Sequence, residues 1–321
     1  MTIDTHTTRS TFAADIQTAA TRADGLEAAR AMRAGTAGAP LEVARLTMHV
    51  AAVAPEELVG VYDGLTEGWV GRAPDAPDFS SPGASGEIPV EFLDALWALI
   101  DDPRVRHDPG DITVRTAALA WMLPASLHGR VAKFAPRYPG VTEGAAAGLP
   151  AKFRLEELAA GPPGSLAARL HSLVIDKGFD LEVLDRDELG LSGLEPPLDY
   201  LNVRILQCHD VWHEVAGYET TGLHEVAISG FQMGQFGHHY SSMFLAMVFT
   251  KAALTQPPEA MPFLLDVILM AYLHGRETPP LLPVHWEALW DMSIDEIRSQ
   301  LGVVPYDSPY PAGILEDMLP E

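Results

Sequence analysis

The chain has 321 residues, 47% of them hydrophobic, which is enough for one or two globular domains and too many for a disordered chain. Lys and Arg number 21 against 44 Asp and Glu, and the resulting formal net charge of −23 excludes nucleic acid as a partner, because neutralising phosphates takes clustered Lys and Arg. The single cysteine, Cys208, excludes a disulfide framework and a Cys-based zinc site within the chain, and fits a reducing compartment.

Residues 1–40 are mostly Ala, Thr and Gly with few large apolar side chains, and read as a flexible arm with a short helix over 24–32. From Leu41, apolar residues recur at helical spacing (Leu41, Val43, Leu46, Val50, Val53), and a second such pattern covers 56–62. The Pro-, Gly- and Ser-rich stretch 72–87 reads as a loop. Phe92, Leu93, Leu96, Trp97 and Ile100 predict an amphipathic helix over 89–100, and 112–134 is a long Ala/Leu-rich helix broken at Pro124. Residues 138–149 are Gly-rich and irregular, whereas 165–177 and 198–215 are helical. Gly217 and Gly222 bracket a turn, followed by one long helix or two over 223–254. Residues 262–274 are apolar on nearly every face and are expected in the interior. In the last helical stretch, 284–301, Ser293 and Glu296 have the spacing of a capping box.

No run of alternating strand residues, no βαβ rhythm and no fixed repeat interrupts this pattern. The expected fold is therefore mostly α: a single domain of about seven to nine helices over 41–305, with the loose arm before it and a C-terminal tail over 306–321. The most apolar stretches, 243–254 and 262–273, contain Lys251 and Asp266 and fall short of the roughly 20 residues a spanning helix needs. No apolar signal core precedes them, and the composition suggests a bacterial, cytoplasmic protein. A charge of −23 is repelled by anionic lipid, so contact with the inner membrane is expected to be peripheral, through a local apolar helix or partner proteins. A homodimer is the expected oligomer, without a specific interface.

One stretch carries candidate chemistry. His209 and His213 are four apart, which on a helix places both imidazoles on one face, one turn apart. Two nitrogen donors from one rigid element suit a divalent transition metal. Asp210 lies at the edge of the same face. Glu225 is sixteen residues on, too far along a continuous helix. If the glycine turn reverses the chain and Thr220 or Thr221 caps a second helix, Glu225 faces back toward the histidines. Two His and two carboxylates suit Zn²⁺, and with one carboxylate withdrawn they approach the Fe(II) arrangement of two His and one carboxylate. The alternatives are a chance pair of helical histidines or a purely structural metal site.

The run His209-Asp210-x-x-His213, then eleven residues, then Glu225 resembles the signature of the coenzyme Q biosynthesis protein 4 family. The likeness extends to Gly164-Ser165-Leu166 through Gly178-Phe179, Leu198-x-Tyr200-x-x-x-Arg204, Gly217-x-x-Thr220-Thr221, Gly275-Arg276, Trp286-Glu287-x-x-Trp290 and Ile297-Arg298-x-x-Leu301-Gly302. It covers about 155–305. The resemblance implies a helical protein with a divalent metal, commonly zinc, on His209, Asp210, His213 and Glu225. It also implies action on a ubiquinone precursor by oxidative decarboxylation of the aromatic head group, and association with other quinone-biosynthesis enzymes on the membrane surface.

Arg204 matches a basic position of the family's motif helix and is a candidate contact for a substrate carboxylate. Its position five residues before His209 equally suits an ion pair with Glu214 or Asp199. Leu201, Val203, Ile205, Leu206 and His224 depart from the family pattern, which leaves room for another prenylated aromatic, isoprenoid or polycyclic compound. Gln232 and His239 follow Glu225 at seven-residue steps and are candidates to line the same cleft; the alternative is a polar stripe. The alternatives in function are a metal-containing prenyl-lipid scaffold or carrier, and a metal-dependent phosphohydrolase. The doublet His107-Asp108, which suits the latter, lies in a Pro/Gly-rich turn.

Overall fold

A computed structural model describes residues 5–83, 86–102, 109–178, 181 and 185–318. His107-Asp108 and Phe179 lie outside these. Sixteen α-helices occur among the described residues, and no strand beyond an isolated bridge between Ser165 and Ser293. They are α1 (Thr5–Asp15), α2 (Arg22–Arg33), α3 (Ala39–Ala52), α4 (Leu58–Val70), α5 (Val90–Asp101), α6 (Pro109–Trp121), α7 (Ala125–Phe134) and α8 (Val141–Ala146). The series continues with α9 (Leu155–Ala159), α10 (Leu166–Lys177), α11 (Leu198–Ala216), α12 (Gly222–Phe236), α13 (His239–Thr255), α14 (Ala260–Glu277), α15 (Ile294–Leu301) and α16 (Ile314–Met318).

The mostly α reading holds; the expected count of seven to nine helices does not. α1 joins the short helix expected in the region read as an arm, α8 lies in the stretch read as irregular, and α9 and α16 are short helices where none was expected; Pro124 separates α6 from α7 as expected, and Gly237 at φ +62 resolves 223–254 into α12 and α13. Among the described residues no helix is long and apolar enough to cross a membrane. The chain folds into two compact units, each made of two separate chain segments: 1–134 with 229–277, and 135–228 with 278–321.

In the first unit, α2 lies against α4 through glycine rather than through large side chains. A methyl group at Gly25 would collide with the Val61 carbonyl, and one at Gly64 with the Arg22 carbonyl. That is why a stretch poor in bulky residues is ordered here: backbone meets backbone. Thr21 and Asp24 close a reciprocal capping box at the start of α2. Residues before it are also tied down. Phe12 and Ile16 are buried, His49 Nδ1 donates to the Ile16 carbonyl at 2.7 Å, and Glu57 Oε2 accepts from the Ala20 amide at 3.0 Å. Gly64→Ala is expected to lower stability by about 1–3 kcal/mol, as overpacking does; thermal unfolding checks this, and an unchanged Tm would show that the two helices part freely.

The same unit contains a buried ion pair. Arg276 Nε lies 3.2 Å from Asp63 Oδ1, with both side chains 2% exposed. Tyr272 donates to the same oxygen at 2.8 Å, and Arg276 Nη2 also donates to the Pro77 carbonyl at 2.6 Å.

The second unit carries α11. Its long apolar sequence is explained by burial: Tyr200, Leu201, Val203, Ile205, Cys208, Val211 and Trp212 all face the interior. In α15 the Ser293–Glu296 pair forms the capping box, with Ser293 N donating to Glu296 Oε2 at 2.9 Å and Glu296 N to Ser293 Oγ at 3.3 Å.

Candidate metal centre

Helix α11 presents His209 and His213 from successive turns, with ring centroids 4.7 Å apart. It ends at Gly217, whose φ of +84 lies in the left-handed region that glycine adopts without strain. There the Gly217 and Tyr218 amides both donate to the His213 carbonyl, at 3.1 and 2.9 Å. The chain turns through 218–221 and enters α12, with Glu225 in its first turn. Glu225 Oε2 lies 3.3 Å from His209 Nε2, and its Oε1 lies 3.3 Å from His213 Nε2. The two Nε2 atoms are 3.0 Å apart. One donor atom each from His209, Asp210 and His213 also falls within a 4.8 Å group.

The tautomer of His213 is set by a neighbour. Its Nδ1 lies 3.1 Å from the Tyr218 carbonyl, which can only accept, so Nδ1 carries a proton and Nε2 is the nitrogen that faces His209 and Glu225. Burial alone would lower the pKa of His209, but the Glu225 carboxylate, with Asp210 behind it, raises it on balance. Burial would likewise raise Glu225; the two imidazoles outweigh that and hold its carboxyl well below the usual range.

This donor set fits a divalent metal. Tetrahedral nitrogen and oxygen ligands about 2.0–2.1 Å from zinc are separated from one another by about 3.3 Å. The Nε2 atoms of His209 and His213 lie 3.0 Å apart and each is 3.3 Å from a different oxygen of Glu225, so the two imidazoles and the carboxylate group form a triangle with separations close to those along one face of such a tetrahedron. His213 is 2% exposed and Glu225 46%, so the triangle is buried at one corner and open to solvent at another. An open cleft of about 760 Å³ adjoins it, lined in part by His213, Tyr218, Thr221, Arg169 and Arg298. That volume is in the range of small-molecule sites.

Thr221 supplies its carbonyl to the Glu225 amide at 2.9 Å, but its hydroxyl is buried with no hydrogen-bond partner; it does not cap α12 as expected. Arg204 does not join the cluster. Its guanidinium is 3% exposed and makes a two-pronged contact with Glu287 at 2.8 and 3.1 Å. It also donates to Gln207 Oε1 and the Val284 carbonyl, each at 2.8 Å. A buried guanidinium needs such partners, and the role of substrate contact gives way to fastening α11 to the 284–287 segment. Sequence reasoning missed Glu287 because it lies 83 residues away.

Cys208 is fully buried, and burial pushes its thiol up to about 12, so it is packed rather than reactive. His239 donates from Nε2 to the Ala51 carbonyl at 2.7 Å, and Gln232 accepts from Ser241 at 3.3 Å; both contacts lie within the first unit. Burial pushes His239 down to about 4, so it is neutral at pH 7.

Residues 153–307 match the family described as coenzyme Q (ubiquinone) biosynthesis protein Coq4. The mitochondrial ubiquinone biosynthesis protein COQ4 homolog of Drosophila melanogaster is 34% identical over 125 residues, 39% of this chain and 46% of that protein. The Drosophila erecta homolog is 33% identical over 155 residues, 42% of this chain and 56% of that protein. The chain thus spans about half the length of the curated relatives it matches. A crystal structure of a protein from Nostoc punctiforme, provisionally assigned to ubiquinone biosynthesis, aligns over 66% of this chain and 96% of that one at 25% identity, with a TM-score of 0.49.

Proposed function

We propose, on the match of residues 153–307 to the coenzyme Q biosynthesis protein 4 family, that the chain serves the biosynthesis of ubiquinone or a related prenylated quinone. In this reading His209, His213, Glu225 and Asp210 hold a divalent metal, zinc or Fe(II). The substrate is a prenylated aromatic acid whose ring carboxyl leaves as CO₂ while one atom of O₂ enters as the hydroxyl and the other is reduced to water by two electrons from an external reductant. The observation that supports the reading best is the donor triangle with its adjoining cleft. A bound metal would supply Lewis acidity toward the carboxylate and a neighbouring phenol oxygen, or activate O₂ if it is redox-active. The chain's own residues do the positioning. The Tyr218 carbonyl fixes the His213 tautomer, and Glu225 closes the triangle on its solvent-open side. The cleft gives an aromatic ring room to approach.

The test is release of labelled CO₂ from a ring-carboxyl-labelled, prenylated hydroxybenzoic acid, using the metal-reconstituted full chain under air with an external reductant. Release at least tenfold above the His213→Ala background is expected. Metal retention with no CO₂ release would overturn the decarboxylase assignment, and a tightly held prenyl lipid without turnover would make the chain a carrier.

A further inference from the structure

The turn that brings His213 and Glu225 together is held from outside by the chain's last residues. Arg298 donates from Nε to the Val215 carbonyl and from Nη2 to the Glu214 carbonyl, both at 2.9 Å, so it satisfies the final carbonyls of α11. The Tyr306 amide donates to the Ala216 carbonyl at 2.8 Å. A Cβ on Gly217 would sit 2.8 Å from Pro305, so the segment presses directly on the turn. The Tyr306 ring stacks on Tyr218 with centroids 4.5 Å apart and planes 19° apart. Tyr218 is the residue whose carbonyl orients His213.

At the other end of the turn, Glu316 Oε1 accepts from the Gly222 amide at 2.7 Å, at the first residue of α12. A carboxylate there satisfies an orphan amide and complements the helix dipole. The local candidate, Thr221, leaves its hydroxyl unused. An amide in the first turn of the helix bearing Glu225 is thus held from 94 residues away, by a residue outside the 153–307 region that matches the family.

We infer that Tyr306 and Glu316 are positioning residues of the metal centre, setting the separation of His213 and Glu225 by clamping the turn between them. The inference rests on the proposed metal site and adds residues of the C-terminal segment to it.

The test uses the full chain with Co²⁺ as probe, reading affinity by chelator competition and coordination by the visible d–d absorption. Wild type is expected to bind one equivalent. Glu316→Ala should weaken binding about fivefold, the size of a lost helix cap, and Tyr306→Ala about tenfold, the size of a lost outer partner. Both should alter the d–d band. Tyr306→Phe keeps the stacked ring and should restore wild-type affinity and spectrum. Equal affinity and an unchanged band in both alanine variants would overturn the inference while leaving the metal site standing. No binding by wild type would overturn the metal site itself, and the positioning role with it. Amide exchange at 217–225 reads the clamp without metal: faster exchange in both alanine variants supports it, and unchanged exchange overturns it.

Discussion

Alanine at His213 is expected to abolish metal binding without unfolding the chain. Elemental analysis of the wild type should find about one equivalent of a divalent transition metal, and His213→Ala or His209→Ala should find none. The expected loss in affinity exceeds the 10–100-fold typical of outer-sphere partners, because a corner of the donor triangle is removed. The fold should survive, since α11 is anchored elsewhere. Arg204 is paired with Glu287, Tyr200 donates to the Leu282 carbonyl at 3.1 Å, and Gln207 donates to the Ala151 carbonyl at 2.7 Å. None of these contacts uses the metal. A chelator should therefore strip the site and leave the helical circular-dichroism signal within about a tenth of its starting value. Collapse of that signal on chelation would mean that the ion is a structural staple, and full metal content in His213→Ala would remove the ligand assignment.

The second large effect is expected in the other unit. Arg276→Met removes the guanidinium paired with buried Asp63 and leaves it the Tyr272 hydroxyl as a donor and Arg22 as a charge at longer range. Breaking a buried pair from one side costs about 3–5 kcal/mol, more than most single substitutions. The pH dependence has a definite sign. Burial raises the Asp63 pKa even with Arg276 present, and removing the arginine raises it further. A carboxyl whose folded pKa lies above its unfolded value binds its proton more tightly when folded. Its contribution is greatest below the unfolded value near 3.9 and is lost as pH rises through the folded one. The variant's deficit should therefore be smaller at pH 5 than at pH 8 in denaturant titrations. Adding Asp63→Asn, which keeps an acceptor for Tyr272, should recover much of the loss. A deficit that is independent of pH and not rescued by Asn would place the cost in lost arginine packing.

What could be read from the residues follows the range of each signal. The helical spacing of His209 and His213 is local, and so is the glycine signal at Gly217, which together with Gly222 was enough to foresee a chain reversal toward Glu225. The Ser293–Glu296 capping box spans three residues and was equally visible. Contacts between distant segments were not. Arg204 looks the same in sequence whether its partner is a substrate or Glu287. Gly25 and Gly64 look like flexibility in a string of small residues; only the placement of α2 on α4 turns them into packing surfaces. The helix count was low for a related reason. A hydrophobic period marks a long helix, but α8, α9 and α16 span only five or six residues each, too few to show one.

The interleaving of the two units bears on synthesis as well as stability. Asp63 leaves the ribosome 213 residues before Arg276, so the first unit cannot form that buried ion pair until the whole intervening segment has been made. The glycine turn is exposed for a shorter time. Gly222 precedes Glu316 by 94 residues, a delay of about 5–19 s at roughly 5–20 residues per second. During that interval the turn carrying the two histidines and Glu225 lacks its last brace, so under the proposed metal assignment the ion would be loaded late in synthesis or after it.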